Sequence, residues 1–169
     1  MKTAMKTLLL PIMLLTSVLT GLHPTAHGQE KINWLTFEQL EDSLRLAPKK
    51  VFIDFYTDWC TYCKKMDKKV FTDAAVITTI NREYYAVRMD AETRDTVRFD
   101  GLDLVNHQAT DKRPGIHDLA LLLGGRNGKF TPPTLILLDE AFRVIDRRFE
   151  YQHREKLLHW LQQDAALSR

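Results

Sequence analysis

The chain is poor in thiols: of 169 residues only Cys60 and Cys63 are cysteine, and both fall inside "VFIDFYTDWCTYCKKM", residues 51 to 66. One pair is too few for a disulfide-stapled scaffold, because small exported domains that rely on staples usually carry several. Closing so short a loop would also gain little loop-closure entropy. Net charge is scarce as well, with 24 Lys and Arg against 22 Asp and Glu. Nucleic acid or an acidic membrane surface would call for a net basic domain or a clustered basic face. "RVIDRRFEYQHREK" is locally basic, but acids are interleaved, as on a solvated face. His107, His117, His153 and His159 lack the paired spacing of a zinc finger, so no metal site is expected. Lys64 follows the second cysteine, where a covalent haem site needs His. Neither an internal repeat nor a low-complexity segment occurs. A content of 44% hydrophobic and 27% charged residues argues against disorder, collagen and coiled coil.

Membrane-length apolar runs are also missing. The most apolar stretch, Leu8 to Leu19, is shorter than the roughly 20 residues a bilayer crossing needs, and Pro11 interrupts it. Lys2 and Lys6 precede it and "GLHPTAHG" follows, which is the layout of a secretory signal peptide cut ahead of Gln29, with Ala26 and Gly28 as the small residues. With no cysteine before that point, no lipid anchor is expected there. Removing residues 1 to 28 takes Lys2 and Lys6 and no acid, which leaves 22 basic and 22 acidic residues. The expected product is one domain, 29 to 169, free in the periplasm or secreted, monomeric and without a membrane anchor.

Along that domain the element types alternate. "TFEQLEDSLRLAPKK" places Phe37, Leu40 and Leu44 at helical spacing, opens with a Thr36/Gln39 capping box and stops at Pro48, so a helix is predicted from about Phe37 to Leu46. "KVFIDFY" is short, branched or aromatic and almost continuously apolar, as expected of a strand covered on both faces. A helix begins at Cys60 with Cys63, Met66 and Val70 on one side; a second covers "DAAVITTINR", and "YYAVRMD" is the next buried strand. "TVRFDGLDLV" then reads as a hairpin turning at Asp100-Gly101, with Val97, Phe99, Leu102 and Leu104 on one face. "PGIHDLALLLGGRNGK" gives a turn, a short helix and a Gly-rich stop. Two strands in "TPPTLILLDEAFRVIDRRFEY" and a closing helix with Leu157, Leu158 and Leu161 inward complete the chain. The pattern predicts an α/β sandwich around a mixed sheet.

In such sheets chemistry sits past the carboxyl ends of strands, which is where "CTYC" falls. Cys60, at a helix start, lies near unpaired N–H groups and the positive dipole end, both of which favour a thiolate. Cys63 lies one turn inward and is expected to be less accessible. Cys60 is therefore the predicted nucleophile on a partner disulfide, and Cys63 the residue that resolves the mixed disulfide. Asp54, inside an apolar strand, would have its pKa raised by burial and could exchange a proton with Cys63. Trp59 and Tyr62 bracket Cys60 with aromatic surface suited to docking a partner.

These residues also carry a resemblance. "VFIDFYTDWCTYCKKM" resembles the active-site segment of the thioredoxin superfamily, and "PPTLILLD" resembles its second landmark, a cis-proline followed by Thr and a buried strand. The similarity covers about residues 32 to 165 and is greatest to exported bacterial thioredoxin-like proteins, including the carboxy-terminal domain of the membrane electron transporter DsbD. It implies a three-layer thioredoxin-like sandwich with a hairpin-plus-helix insertion, about 92 to 129, before the cis-proline strand. It also implies that Trp59 flanks the nucleophile, Asp54 is the acid beneath it and Pro133 is the cis-proline. Thr131 and Pro132 would then lie on the substrate-docking loop. Pro132 departs from the family pattern, because it has no N–H for a partner backbone and offers only its carbonyl. The implied activity is thiol:disulfide oxidoreduction on dithiol or disulfide partner proteins, without a cofactor. Two alternatives stay open, a binding module with a permanent disulfide and a dithiol metal-delivery protein. The insertion could form a rim that selects partners or extend the sheet.

Overall fold

Strand β2 (Lys50–Tyr56) organises the molecule, because the residues from Val51 to Phe55 are all buried and one neighbour strand lies on each side. A computed structural model describes residues 30 to 167; the predicted signal peptide lies outside them. In chain order the elements are β1 (Trp34–Leu35), α1 (Phe37–Leu46), β2, α2 (Thr61–Lys69), α3 (Ala74–Glu83), β3 (Tyr84–Asp90), β4 (Val97–Phe99), β5 (Leu102–Leu104), α4 (Asp118–Gly124), β6 (Thr134–Leu138), β7 (Val144–Arg148) and α5 (Arg154–Leu167). The main sheet has the order β1-β3-β2-β6-β7, with β1, β3 and β2 parallel and β6 and β7 antiparallel to their neighbours. This is the expected mixed α/β sandwich.

The period-two alternation of the strands sorts side chains into two cores. Val51, Ile53, Phe55, Val87, Met89, Ile136 and Leu138 meet α1 and α4, while Phe52, Ala86, Leu135 and Leu137 meet α2, α3 and α5. Helix α1 starts where the capping box predicts: Thr36 accepts from the Gln39 N–H, and the Gln39 side chain accepts from the Thr36 N–H. Trp160 joins Leu157 and Leu161 in anchoring α5, whereas Leu158 is only partly buried. Among the described residues no helix is long and apolar enough to cross a membrane.

The β4–β5 hairpin turns at Asp100 and Gly101, whose φ values of 51° and 74° suit a two-residue primed turn. It does not extend the main sheet. The two strands pair only with each other and lie on α1, where Phe99 meets Phe37 edge-on at 5.4 Å and Glu38 accepts from the Arg98 N–H. Val97 and Phe99 are buried, but Leu102, expected on the same covered face, is 60% exposed. Leu104 at the far end of the second strand is half-buried against the same core, so the exposure is confined to the turn end of that strand. The insertion is pinned by His117: its backbone N–H donates to the Ala91 carbonyl, Nδ1 accepts from the Leu119 N–H, and Nε2 lies 3.1 Å from the Asp95 carbonyl.

Candidate functional site

The site forms where β2 ends and β6 begins. Phe55 is in register with Thr134, so Pro133 enters the sheet at the end from which the chain leaves for Cys60. The Pro132–Pro133 bond is cis. Cys60 caps α2: its N–H donates to the Thr57 carbonyl at 3.1 Å, and its Sγ accepts from the Cys63 N–H at 3.1 Å. A donor aimed at that sulfur, at the positive end of a helix, favours negative charge on Cys60 over Cys63. The two cysteines are joined in a disulfide with Cα atoms 5.3 Å apart. In this oxidised form the expected contrast in accessibility is not present, since Cys60 is 4% and Cys63 3% exposed. Both cysteines are buried to the same extent in the disulfide form.

Beneath α2 lies a buried polar cluster. Asp54 is 2% exposed and in register with Arg88 on β3 and Leu135 on β6. Arg88 Nε lies 3.1 Å from Asp54 Oδ2 without the alignment of a hydrogen bond, while another guanidinium nitrogen reaches Asp67 on α2 at 2.8 Å. The guanidinium is held over the Tyr56 ring at 4.3 Å. Burial pushes the Asp54 carboxyl up to about 7; Arg88 opposes that rise and the charge of Asp67 adds to it. A carboxyl titrating near neutrality can take and return a proton at working pH. Thr57, in the turn before Cys60, also buries a hydroxyl that has no partner among the described residues.

The outer surface is aromatic. Trp59 is 62% and Tyr62 58% exposed. The Trp59 indole N–H donates to Glu92 Oε1 at 2.9 Å, and the Tyr62 ring lies 5.8 Å from that of Tyr151. On the facing loop Thr131 is exposed and its carbonyl accepts from the Thr134 hydroxyl at 2.8 Å; Pro132 is half-buried and Pro133 buried. The structure thus gathers Cys60, Cys63, Asp54, Trp59, Tyr62 and the 131 to 133 loop at one sheet end. Arg88, Asp67 and Glu92 belong to the same region and were missed from the sequence. The signal for Arg88 was its place in "YYAVRMD": with β2 and β3 as parallel neighbours, the odd charge of one strand meets the odd charge of the other.

Known proteins share this fold. A thioredoxin-like domain model matches residues 37–164. A thiol:disulfide interchange protein DsbD from Ralstonia nicotianae is 30% identical over 122 residues, which is 70% of this chain and 16% of the relative. The chain thus spans about a sixth of that protein's length. Among solved structures, a thioredoxin from Thermus thermophilus matches with a TM-score of 0.57 at 18% identity, covering 80% of this chain and 88% of that one. The reduced DsbD C-terminal domain of Neisseria meningitidis matches with a TM-score of 0.51 at 20% identity, covering 75% and 90%. The chain therefore belongs to the thioredoxin-like domain family and carries the Cys60–Cys63 pair on its disulfide oxidoreductase fold.

Proposed function

We propose that this protein is an extracytoplasmic thiol:disulfide oxidoreductase that works mainly as a reductase of partner disulfides. The observation that carries the reading is the Cys63 N–H aimed at Cys60 Sγ at the start of α2, at the sheet end that also holds the cis Pro132–Pro133 bond. In the reduced protein the Cys60 thiolate attacks one sulfur of a partner disulfide. That S–S bond breaks, a Cys60–partner bond forms, and the departing partner sulfur leaves as a thiolate that takes a proton from water. Asp54 then accepts the Cys63 proton, and the Cys63 sulfur attacks Cys60. The second partner sulfur departs and is protonated. Two electrons have passed to the partner, and the Cys60–Cys63 disulfide remains. An external dithiol protein must reduce that disulfide to close the cycle. The reductase direction rests on the resemblance to DsbD-type proteins, and the extracytoplasmic setting on the signal-peptide layout of residues 1 to 28.

Insulin disulfide reduction tests the activity: Cys60→Ser abolishes it, and retained turnover would remove the reading. Equilibration against glutathione buffers sets the direction, because known couples span about 150 mV. A strongly oxidising potential would reverse the preferred direction. One observation favours a second reading, a binding module with a permanent disulfide: both sulfurs are buried. A pair that stays oxidised in excess dithiothreitol would establish that module in place of the enzyme.

A further inference from the structure

The insertion leaves the core at about Glu92 and returns at about Lys129, so its two roots flank the site end of the sheet. The roots differ in charge. At the first, Glu92 holds the Trp59 indole, and burial raises the Asp90 carboxyl, with the charges of Asp58 and Glu92 adding to that rise. At the second, the chain turns through Asn127 and Gly128, both at positive φ, and the backbones of Arg126 and Lys129 pair across the turn at 2.8 and 3.0 Å. This turn, with Gly124, Thr131 and Phe149, lines a cavity of about 270 Å³. Among the described residues neither Arg126 nor Lys129 has an ion-pair partner. The Arg126 guanidinium already lies over the Phe149 ring at 4.0 Å.

The loop beside this cavity is a poor main-chain partner. Pro132 and Pro133 have no N–H, and the Thr131 carbonyl already accepts from the Thr134 hydroxyl. An incoming strand finds no main-chain donor at either proline and a carbonyl at Thr131 with one lone pair engaged. Extended peptides draw affinity from main-chain hydrogen bonds and specificity from side-chain pockets. With the first curtailed, the second must carry more of the recognition.

We propose that the cavity at the returning turn is a specificity pocket for an Asp or Glu side chain of the partner segment that flanks the disulfide, held by Arg126 and Lys129. The proposal rests on the oxidoreductase reading above. The cavity volume suits one side chain, since pockets for drug-sized ligands start near 300 Å³. The stacked guanidinium is preorganised, so less freedom is lost on pairing. The acidic root by Trp59 repels a carboxylate, which orients the partner with its acid on the Thr131 side. Each exposed ion pair is worth a factor of roughly 1.5 to 5, so the two cations together give a preference of about two- to twenty-five-fold.

The test uses the full reduced protein and three synthetic peptides, each linked through one cysteine to a chromogenic thiol and carrying Asp, Gln or Lys at successive positions beside that cysteine. The Asp peptides are expected to be reduced about two- to twenty-five-fold faster than the Gln peptides at low salt, and the gap to shrink in about 0.5 M NaCl. In Arg126→Gln/Lys129→Gln the Asp-to-Gln ratio falls to about one, and Arg126→Glu/Lys129→Glu favours the Lys peptides. Equal rates for all peptides with the wild-type protein, or a ratio unchanged in both double variants, would overturn the pocket while leaving the enzyme intact. No turnover of any peptide, with insulin reduction also absent, overturns the oxidoreductase reading and the pocket with it.

Discussion

Strand β2 presents two faces built to different rules. Towards α1 and α4 it offers Val51, Ile53 and Phe55, which join Phe37, Leu40, Phe99 and Leu119 in a core without a charged side chain. Towards α2 it offers Phe52 and then Asp54, with Arg88 beside it and Asp67 above. A buried carboxylate is costly even when a cation is near, because desolvation competes with the attraction. The first face therefore supplies stability and the second gives some up at a carboxyl whose pKa burial raises. This division says where a substitution should change folding and where it should change chemistry.

The largest effect should come on the α2 face without loss of structure. Cys63→Ser is expected to abolish catalytic turnover while mixed disulfides accumulate on Cys60, seen as partner-sized mass additions that dithiothreitol removes. Failure to trap them would mean that the two cysteine roles are exchanged. On the other face Phe37→Ala should behave oppositely. Phe37 is 2% exposed, stacks on Phe55 and meets Phe99 edge-on. Its truncation should cost roughly 3–5 kcal/mol in denaturant unfolding. Turnover per folded molecule should change less than about twofold, and a larger drop would show that the apolar face also shapes the site.

Asp54→Asn sharpens the contrast, because it should raise stability and lower activity together. The folded carboxyl titrates at about 7 against an ordinary 3.8. Between those values the native state keeps a proton that the unfolded chain has released, so stability falls as pH rises through that window. The variant escapes the loss. Its advantage should be near zero at pH 4, grow with pH and level off above 7, reaching up to about 4 kcal/mol at about 1.4 kcal/mol per unit. With Asp54 taking the Cys63 proton as proposed, the same variant should keep the mixed disulfide about a hundredfold longer. A stability gain that does not depend on pH would show that the charge of Asp54 is not what strains this face.

Local signals were the legible ones. Thr36 with Gln39, the seven residues of β2 and the Asp100-Gly101 turn each specify a short stretch, and the structure follows them. What escaped depends on neighbours far along the chain. Strand β1 is two residues long and exists because β3 offers it an edge. The hairpin's turn was readable but its seat on α1 was not, since Phe99 and Phe37 meet only in the folded chain. Asp54 could be placed in an apolar strand, yet its partner Arg88 required the strand order. The expected difference in cysteine exposure is absent from the disulfide form for a similar reason, because burial at Cys60 depends on the surrounding fold and not on the spacing of two sulfurs.

The smallest effect expected here tests whether the α2 face is strained throughout or only at Asp54. Asp73 lies on that side, capping α3: Oδ1 accepts from the Ala75 and Val76 N–H groups at 3.0 and 3.2 Å, and Oδ2 accepts from Arg154 on α5 at 2.7 Å. Burial would raise its pKa, but the Val76 hydrogen bond, Arg154 and the Ala75 hydrogen bond outweigh that and lower it. The sign is thus opposite to that of Asp54. The native state holds the charged form more tightly than the unfolded chain, so this stabilisation is present above the ordinary carboxyl pKa and is lost as pH falls through the lower native value. Asp73→Ala should cost about 1 kcal/mol at pH 7 and less in acid. Unfolding curves at pH 3 and pH 7 check it. A cost that grew in acid would mean that ionisation strains Asp73 as it strains Asp54, and the whole α2 face would then have to be read as electrostatically stressed.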